Sequence, residues 1–382
     1  MKILLIHNRY TKKSVSGENI VFDNEKKLLK NILGDKNVFV YEVSNDKVSK
    51  LELLINLFFS FKHYKNVKNI VKHHNIDLVH VHNFYPILSP SIFKASKVAG
   101  AKVIHTLHNY RLWCIAGTLY REGFGICELC IKNKFSLQGV LNKCYRKSLI
   151  QSLIAQLSFS FYKSTNIFKN IDYFIVLTNF QKHKVKVLGI DEKKIILKPN
   201  TFNIHTNLIK NKEGYIYVGR LEESKGIYIL LNVWKQLDEN FVLTIVGSGD
   251  IEEKLRNEYN YKNIIFKGRC NQEKTSQYIA KSKYLIQPSI WYETFGLTIV
   301  EAMGLGIPVI GFNIGTRNDF IVNKKNGFLS TINNFKNIIE KSYNYYDYEL
   351  LSNNARKNSE NFKEEIVISK QIEMYKKIIN EK

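Results

Sequence analysis

Residues 289–311 read SIWYETFGLTIVEAMGLGIPVIG. Ahead of them "YLIQP" reads as a short buried strand stopped by Pro288, so residues 289–296 form a loop at a strand's carboxyl end. A helix is expected to begin near Phe295 to Leu297 and to run to about Gly304, after which "IPVIGF" supplies another strand. Glu293 lies in the loop and Glu301 about one turn inside the helix. The first amides of a helix have no intrahelical partners and sit at the positive end of its dipole, which suits an anion. Gly296 lets a phosphate approach the backbone closely. Glu301 is placed to accept hydrogen bonds from a vicinal diol such as a ribose, and Glu293 to reach hydroxyls on the other side of the phosphate. The set suits a nucleoside diphosphate carrying a sugar.

Short apolar runs alternate with amphipathic stretches along the rest of the chain, the pattern of helices packed on parallel sheets. "KILLIH", "NVFVYEV", "DLVHVHN", "AKVIHTLH" and "DYFIVLT" are strand candidates in the first half. After "IILKPN" the pattern restarts with "GYIYVGR", "FVLTIVG", "NIIFKG", "YLIQP" and "IPVIGF". The polar stretch from Pro199 to Lys212 reads as a linker. The expected architecture is α/β: two doubly wound Rossmann-like domains facing a cleft, residues 1–203 and 204–382, with ligands at the carboxyl ends of strands and the last helix packing back on the first domain. The 382 residues are enough for two such cores.

In "YIYVGRLEESKGI", Arg220 and Lys225 follow a strand and are flanked by Gly219 and Gly226. Two cations there would neutralise a diphosphate, the arginine bidentately. They would also stabilise the charge on a departing nucleoside diphosphate.

With these residues assembled, the chain resembles the family 4 glycosyltransferases, retaining enzymes of the GT-B fold. Glu293 and Glu301 match the E-x7-E motif, and "GRLEESKG" and "EAMGLGIPVIG…IGTRNDFIVNKKNGFL" are similar to the same family. The resemblance implies that Arg220 and Lys225 hold the donor diphosphate, that Glu301 holds the ribose and that Glu293 contacts the transferring sugar. It places the amides near Phe295, Gly296 and Leu297 on the phosphates, and Gly247 and Arg269 near the base. A tight turn at Gly247 to Gly249 explains those glycines as well. "GTRNDF" departs from the paired glycines and glutamate of many relatives.

The first half is expected to bind the acceptor. Gly17 and Glu18 at a helix start resemble the family's glycine loop facing the donor phosphates, although Ser16-Gly17 stands where many relatives carry two glycines; an ordinary cap by Ser16 is the alternative. His108 ends the strand of "AKVIHTLHNYRLWC", on one face with Ile104 and Thr106. It matches the family's cleft histidine, which bonds the transferring sugar and supports the leaving phosphate. His80, His82 and Asn83 end another strand, with packing or acceptor-side roles. The chain has no D-x-D pair, so catalysis is expected to need no metal. The resemblance implies retention by same-face attack of the acceptor hydroxyl.

Cys114, Cys127, Cys130 and Cys144 fall within thirty-one residues, and "CELC" is a Cys-x2-Cys knuckle. Structural zinc and reduced buried thiols are both open. Cys270 reads as an ordinary buried thiol.

Lysine and arginine number 57 against 34 acids, a formal charge of +23, which favours a polyanionic partner. Residues 53–76 contain no acid, and Lys62, Lys65, Lys68 and Lys72 fall within about 120° of a helix. Residues 131–170 again lack acids and carry seven Lys/Arg among Phe, Tyr and Leu. The first segment reads as a packed helix with a solvated lysine face, the second as a surface for anionic lipid. Hence the expected partners are a nucleotide-diphosphate sugar, a lipid-linked or oligosaccharide acceptor of surface polysaccharide assembly, and an anionic membrane surface at the inner face of the cytoplasmic membrane. No secretory signal or membrane span is read in the chain. A basic nucleic-acid-binding protein would explain the charge but not the phosphate-site residues. A catalytically inactive partner of the same fold is opposed by the presence of Arg220, Lys225, Glu293, Glu301 and His108.

Overall fold

The computed structural model describes residues 1–10, 17–47, 49–204 and 206–381. The proposed cap Ser16 lies outside them. The chain divides into two compact units: unit 1 comprises residues 1–119, 128–201 and 364–382, and unit 2 comprises residues 120–127 and 202–363.

Strands β1 (Ile3–Arg9), β2 (Val38–Ser44), β3 (Leu78–Asn83) and β4 (Lys102–Thr106) open the chain. A hairpin of β5 (Tyr120–Arg121) and β6 (Gly125–Ile126) follows, then β7 (Tyr173–Val176) and β8 (Ile195–Leu197). The remaining strands are β9 (Tyr215–Val218), β10 (Leu243–Val246), β11 (Ile264–Gly268), β12 (Tyr284–Gln287), β13 (Val309–Phe312) and β14 (Gly327–Ser330). Unit 1 has one sheet in the order β2-β1-β3-β4-β7-β8, and unit 2 one in the order β11-β10-β9-β12-β13-β14. Every ladder in both is parallel.

These strands are apolar on both faces, as sheets covered by helices on each side require. Ile3, Leu4, Leu5 and Ile6 are completely buried. In unit 2, Tyr215, Tyr217, Ile245 and Ile310 share a core cluster with the fully buried Trp234, whose indole donates to Phe241 O at 2.8 Å. Each sheet reverses its strand order once, between β1 and β3 in unit 1 and between β9 and β12 in unit 2. Such a switch point opens a crevice beyond the strands' carboxyl ends, and the candidate residues follow these strands.

Two elements lie beyond the strands read from the sequence. β14 closes one edge of the unit 2 sheet, and residues 120–127 group with unit 2 although their neighbours on both sides belong to unit 1. Glu223 fastens that hairpin, accepting from Tyr120 OH at 2.7 Å and from Gly123 N at 2.9 Å. The last helix, Glu364–Asn380, buries Val367, Ile368, Gln371, Ile372, Tyr375 and Ile378 within unit 1. Among the described residues no helix is long and apolar enough to cross a membrane.

Candidate functional site

In unit 2 the loops after β9 and β12 are pressed together. Gly226 has φ 71°, and a Cβ there would lie 1.9 Å from Pro288 O, so only glycine allows the approach. Ile290 N donates to Ser224 O at 3.0 Å beside it. This contact carries Lys225 to Glu293: Nζ lies 2.9 Å from Oε1, with Ser289 Oγ donating to the same oxygen at 2.5 Å. Lys225 also lies over the Trp291 ring, 5.1 Å from its centre. Burial pushes the Glu293 carboxyl up, but Lys225, then Arg317 and the Ser289 hydroxyl, outweigh it and hold the group below its usual range. Glu293 is therefore a buried, ionised carboxylate.

Arg317 is the member of this cluster that sequence reasoning missed. It is completely buried, with Nη2 donating to Ser289 O at 2.8 Å and to Trp291 O at 3.3 Å. Burial lowers its guanidinium to about 10, against the pull of Glu293. Its place in "GTRNDF", just after β13, was the available signal. There it pins the Ser289–Trp291 backbone behind Glu293.

The helix Leu297–Gly304 starts where the sequence places it, and no side chain caps its first turn. Phe295 is buried against Phe320 and Phe362, so its backbone rather than its ring faces any ligand. Glu301 is half-buried and burial pushes its carboxyl up to about 7. Arg220 is largely exposed and pairs with Glu222 at 3.0 Å. Loops at the ends of β9, β10 and β11 join through Gly219 N to Val246 O, Leu221 N to Ser248 O and Gly247 N to Gly268 O. A Cβ on Gly247 would meet Gly219 O at 1.8 Å, so the turn after β10 is a requirement of this packing. Arg269, next along from Gly268, is exposed. Unit 2 thus gathers Gly219, Arg220, Lys225, Gly247, Glu293 and the helix start at one end of its sheet.

In unit 1, Gly17 begins the helix Gly17–Leu33. His108, just past β4, places Nε2 3.0 Å from His82 Nδ1, the rings stacked at 5.2 Å. Burial first, then His82 and His7, hold His108 well below the ordinary histidine range, so it is neutral. His82, His108, Asn109 and Arg111 line one pocket. Arg111, quoted in "HNYRLWC" without a role, lies under Tyr85 and Tyr145 at 5.1 and 5.8 Å. Near it Glu18, which accepts from Tyr10 OH at 3.2 Å, is pushed by burial up to about 8.

All five cysteines are thiols. Cys127 belongs to unit 2, and Cys114, Cys130 and Cys144 to unit 1. Among the described residues one group of three or more His, Cys, Asp and Glu side chains has its ligand atoms within 4.8 Å of one another, Glu25, His80 and His82, and it contains no cysteine.

The family Glycosyltransferase Family 4 matches residues 41–206, and Glycosyl transferases group 1 matches residues 200–362. An uncharacterised glycosyltransferase of Methanocaldococcus jannaschii is 24% identical over 91% of this chain and 86% of its own. The O-antigen chain mannosyltransferase C of Escherichia coli is 28% identical over 38% of this chain, a match spanning only 40% of the relative. Among solved structures, the lipopolysaccharide outer core galactosyltransferase WaaB superposes with a TM-score of 0.66 over 99% of this chain and all of its own, at 20% identity. Anabaena HepE in complex with UDP and glucose gives 0.67 over 98% and 99%, at 16% identity.

Proposed function

The chain belongs to the family 4 glycosyltransferases of the GT-B fold, and from that premise we propose that it is a retaining enzyme moving a sugar from a nucleotide-diphosphate donor to a lipid-linked glycan of surface polysaccharide assembly. The observation that carries this is the Lys225–Glu293 pair in the loops that lead to an uncapped helix start: a cation for phosphate, a carboxylate for sugar hydroxyls, and helix-start amides that no side chain caps. Arg220 and Lys225 neutralise the diphosphate as it departs. Glu301 takes the ribose diol. By the same family resemblance Gly247 and Arg269 are assigned to the base, Gly17 to the phosphates and His108 to the transferring sugar. With those cations and amides the reaction needs no metal. For the cysteines we take the reduced-thiol reading over structural zinc; metal analysis of purified protein tests that choice.

UDP and glucose are bound by HepE, which makes a uridine nucleotide the first donor to try. The lipid-linked acceptor is favoured by one face of unit 1. The helix Leu149–Ser164 exposes Leu149, Ile150, Leu153, Leu157 and Phe161 while burying Ser152, Ser158 and Ala155. Leu137 and Leu141 of the short helix before it are exposed as well, and Lys143, Arg146 and Lys147 lie between the two. Exposed apolar residues with cations between them in the chain match an anionic bilayer surface.

A screen of nucleotide sugars for hydrolysis and transfer tests the proposal, repeated with Arg220→Ala and Glu301→Ala. Each variant is expected to lose donor affinity or turnover by a factor of about 100 or more. A protein that turns over no nucleotide sugar, and whose melting temperature no nucleoside diphosphate raises, would refute it.

A further inference from the structure

Unit 1 holds a buried cluster of polar side chains that no donor or acceptor role requires. His80 and His82 stand two residues apart on β3, so both imidazoles leave the same face of the sheet. Glu25, on the helix Gly17–Leu33, meets them there. All three are buried, and Lys198 pairs with Glu25 Oε2. The other carboxylate oxygen, Oε1, lies 3.1 Å from His80 Nδ1 and 3.3 Å from His82 Nε2. These three atoms all lie within 4.8 Å of one another.

Hydrogen bonding does not complete this cluster. His82 Nε2 is a buried nitrogen without a hydrogen-bond partner, and leaving such an atom unpaired away from water is costly. His80 Nδ1 bonds Tyr375 OH at 2.6 Å. Gln371 Nε2 donates to that hydroxyl, which leaves the phenol's own hydrogen for His80 Nδ1. The hydrogen of the His80 ring then sits on Nε2, 2.7 Å from Thr106 Oγ1. A bare nitrogen and a carboxylate oxygen thus face each other at 3.1 Å, with the unpartnered His82 nitrogen 3.3 Å from the same oxygen. A cation between the three turns this repulsion into attraction.

The spacing fits a metal ion. Zinc holds imidazole nitrogen and carboxylate oxygen at about 2.0–2.2 Å, so two ligands of a tetrahedral centre stand about 3.3–3.6 Å apart. The outer shell fits as well, since a ligating histidine donates its other ring N–H to a neighbouring acceptor. His80 has Thr106 Oγ1 at that nitrogen, and His82 has His108 Nε2 at 3.0 Å from its Nδ1. We propose that Glu25 Oε1, His80 Nδ1 and His82 Nε2 form a structural site for a divalent transition metal, zinc foremost, with the Tyr375 hydroxyl beside it. Two nitrogens and an oxygen suit zinc, whereas magnesium and calcium take oxygen alone. Binding costs the Tyr375–His80 hydrogen bond, and Tyr375 keeps its hydrogen. Lys198 holds Oε2 and leaves Oε1 to the metal. The ion fastens the helix Gly17–Leu33 to β3 and takes no part in sugar transfer.

The experiment uses the whole chain without a purification tag, stripped with a chelator and then dialysed against zinc or cobalt(II). None of its readouts depends on transferase activity. Wild type is expected to retain about one zinc per chain and to melt at a higher temperature with it than without. X-ray absorption at the zinc edge should show two imidazoles and no sulfur. The cobalt(II) protein should show ligand-field bands without thiolate charge transfer, which separates this site from the cysteines. His82→Leu should weaken zinc binding by about 100-fold or more, because loss of an outer-shell partner alone costs about 10–100-fold. Wild type that retains no zinc overturns the proposal, whatever the variant does. So does zinc coordinated by sulfur without imidazole, or a folded His82→Leu chain that binds zinc as tightly as wild type.

Discussion

Lys225 and Glu293 stand 68 residues apart in the chain and 2.9 Å apart in space. Both side chains are largely buried, and the charge of buried Arg317 also favours the ionised carboxylate. Removing the acid strands two cations away from water, whereas removing Lys225 leaves Arg317 and Ser289 to hold Glu293. Glu293→Leu is therefore expected to cost about 3 kcal/mol and Lys225→Met clearly less. For units of this size that is a fall of roughly 6–12 °C in melting temperature. Thermal unfolding of both variants checks the ranking, and equal losses would contradict it.

The same carboxylate gives an acid limb. Its folded pKa is held below 4.5, the value for the free group. A depressed carboxyl contributes stability that is present above about 4.5 and is lost as pH falls through the folded value. The melting temperature of wild type should exceed that of Glu293→Gln by a constant margin near neutrality. The margin should shrink as the pH is taken below about 4.5. A margin that grows on acidification means that the ion pair is not what stabilises this loop.

Much of this site could be read in the sequence because its parts are local. A strand, a glycine loop and a helix start lie within a few residues of each other around Gly296, and the spacing of Glu293 and Glu301 follows from that geometry. Arg317 could not be read that way. It acts across the sheet on the Ser289 and Trp291 carbonyls, and nothing beside it in "GTRNDF" marks it as buried. Glu25 looked like one more acid in a charged helix, since its partners Lys198 and Gln371 lie 173 and 346 residues away. The serines of residues 149–164 mislead in another way. Polar residues facing inward reverse the periodic pattern that usually assigns a helix its buried side.

Glu301 is shifted in the opposite direction, which places its pH dependence near neutrality rather than in acid. Burial takes its carboxyl up to about 7, so near neutrality a sizeable fraction is protonated and lacks one acceptor for a diol. Donor affinity should rise several-fold as the pH is raised through about 7, where the carboxylate forms. Glu301→Gln should bind weakly and without that rise, which separates its contribution from titration of the nucleotide's own phosphate. Calorimetric titration with a nucleoside diphosphate at pH values from about 6 to 8 measures both. A rise of the same size in the glutamine variant assigns the titration elsewhere.

The exposed face of unit 1 gives the last prediction. Ile150 is 68% and Leu141 59% exposed, so neither supports the core, and replacing them should barely change the melting temperature. If that face rests on lipid, each buried apolar side chain adds about 1.5–3 kcal/mol to binding, and each nearby cation about 1 kcal/mol. The double substitution Leu141→Asp and Ile150→Asp removes the first contribution and opposes the second. It should abolish sedimentation with vesicles rich in anionic lipid at low salt. Activity on a short water-soluble acceptor should remain while activity on a lipid-linked one falls. Raising the salt should weaken wild-type binding without eliminating it, because the apolar part is not screened. Wild type that ignores such vesicles, or a double variant that binds them equally, removes the membrane from the account and leaves a soluble acceptor.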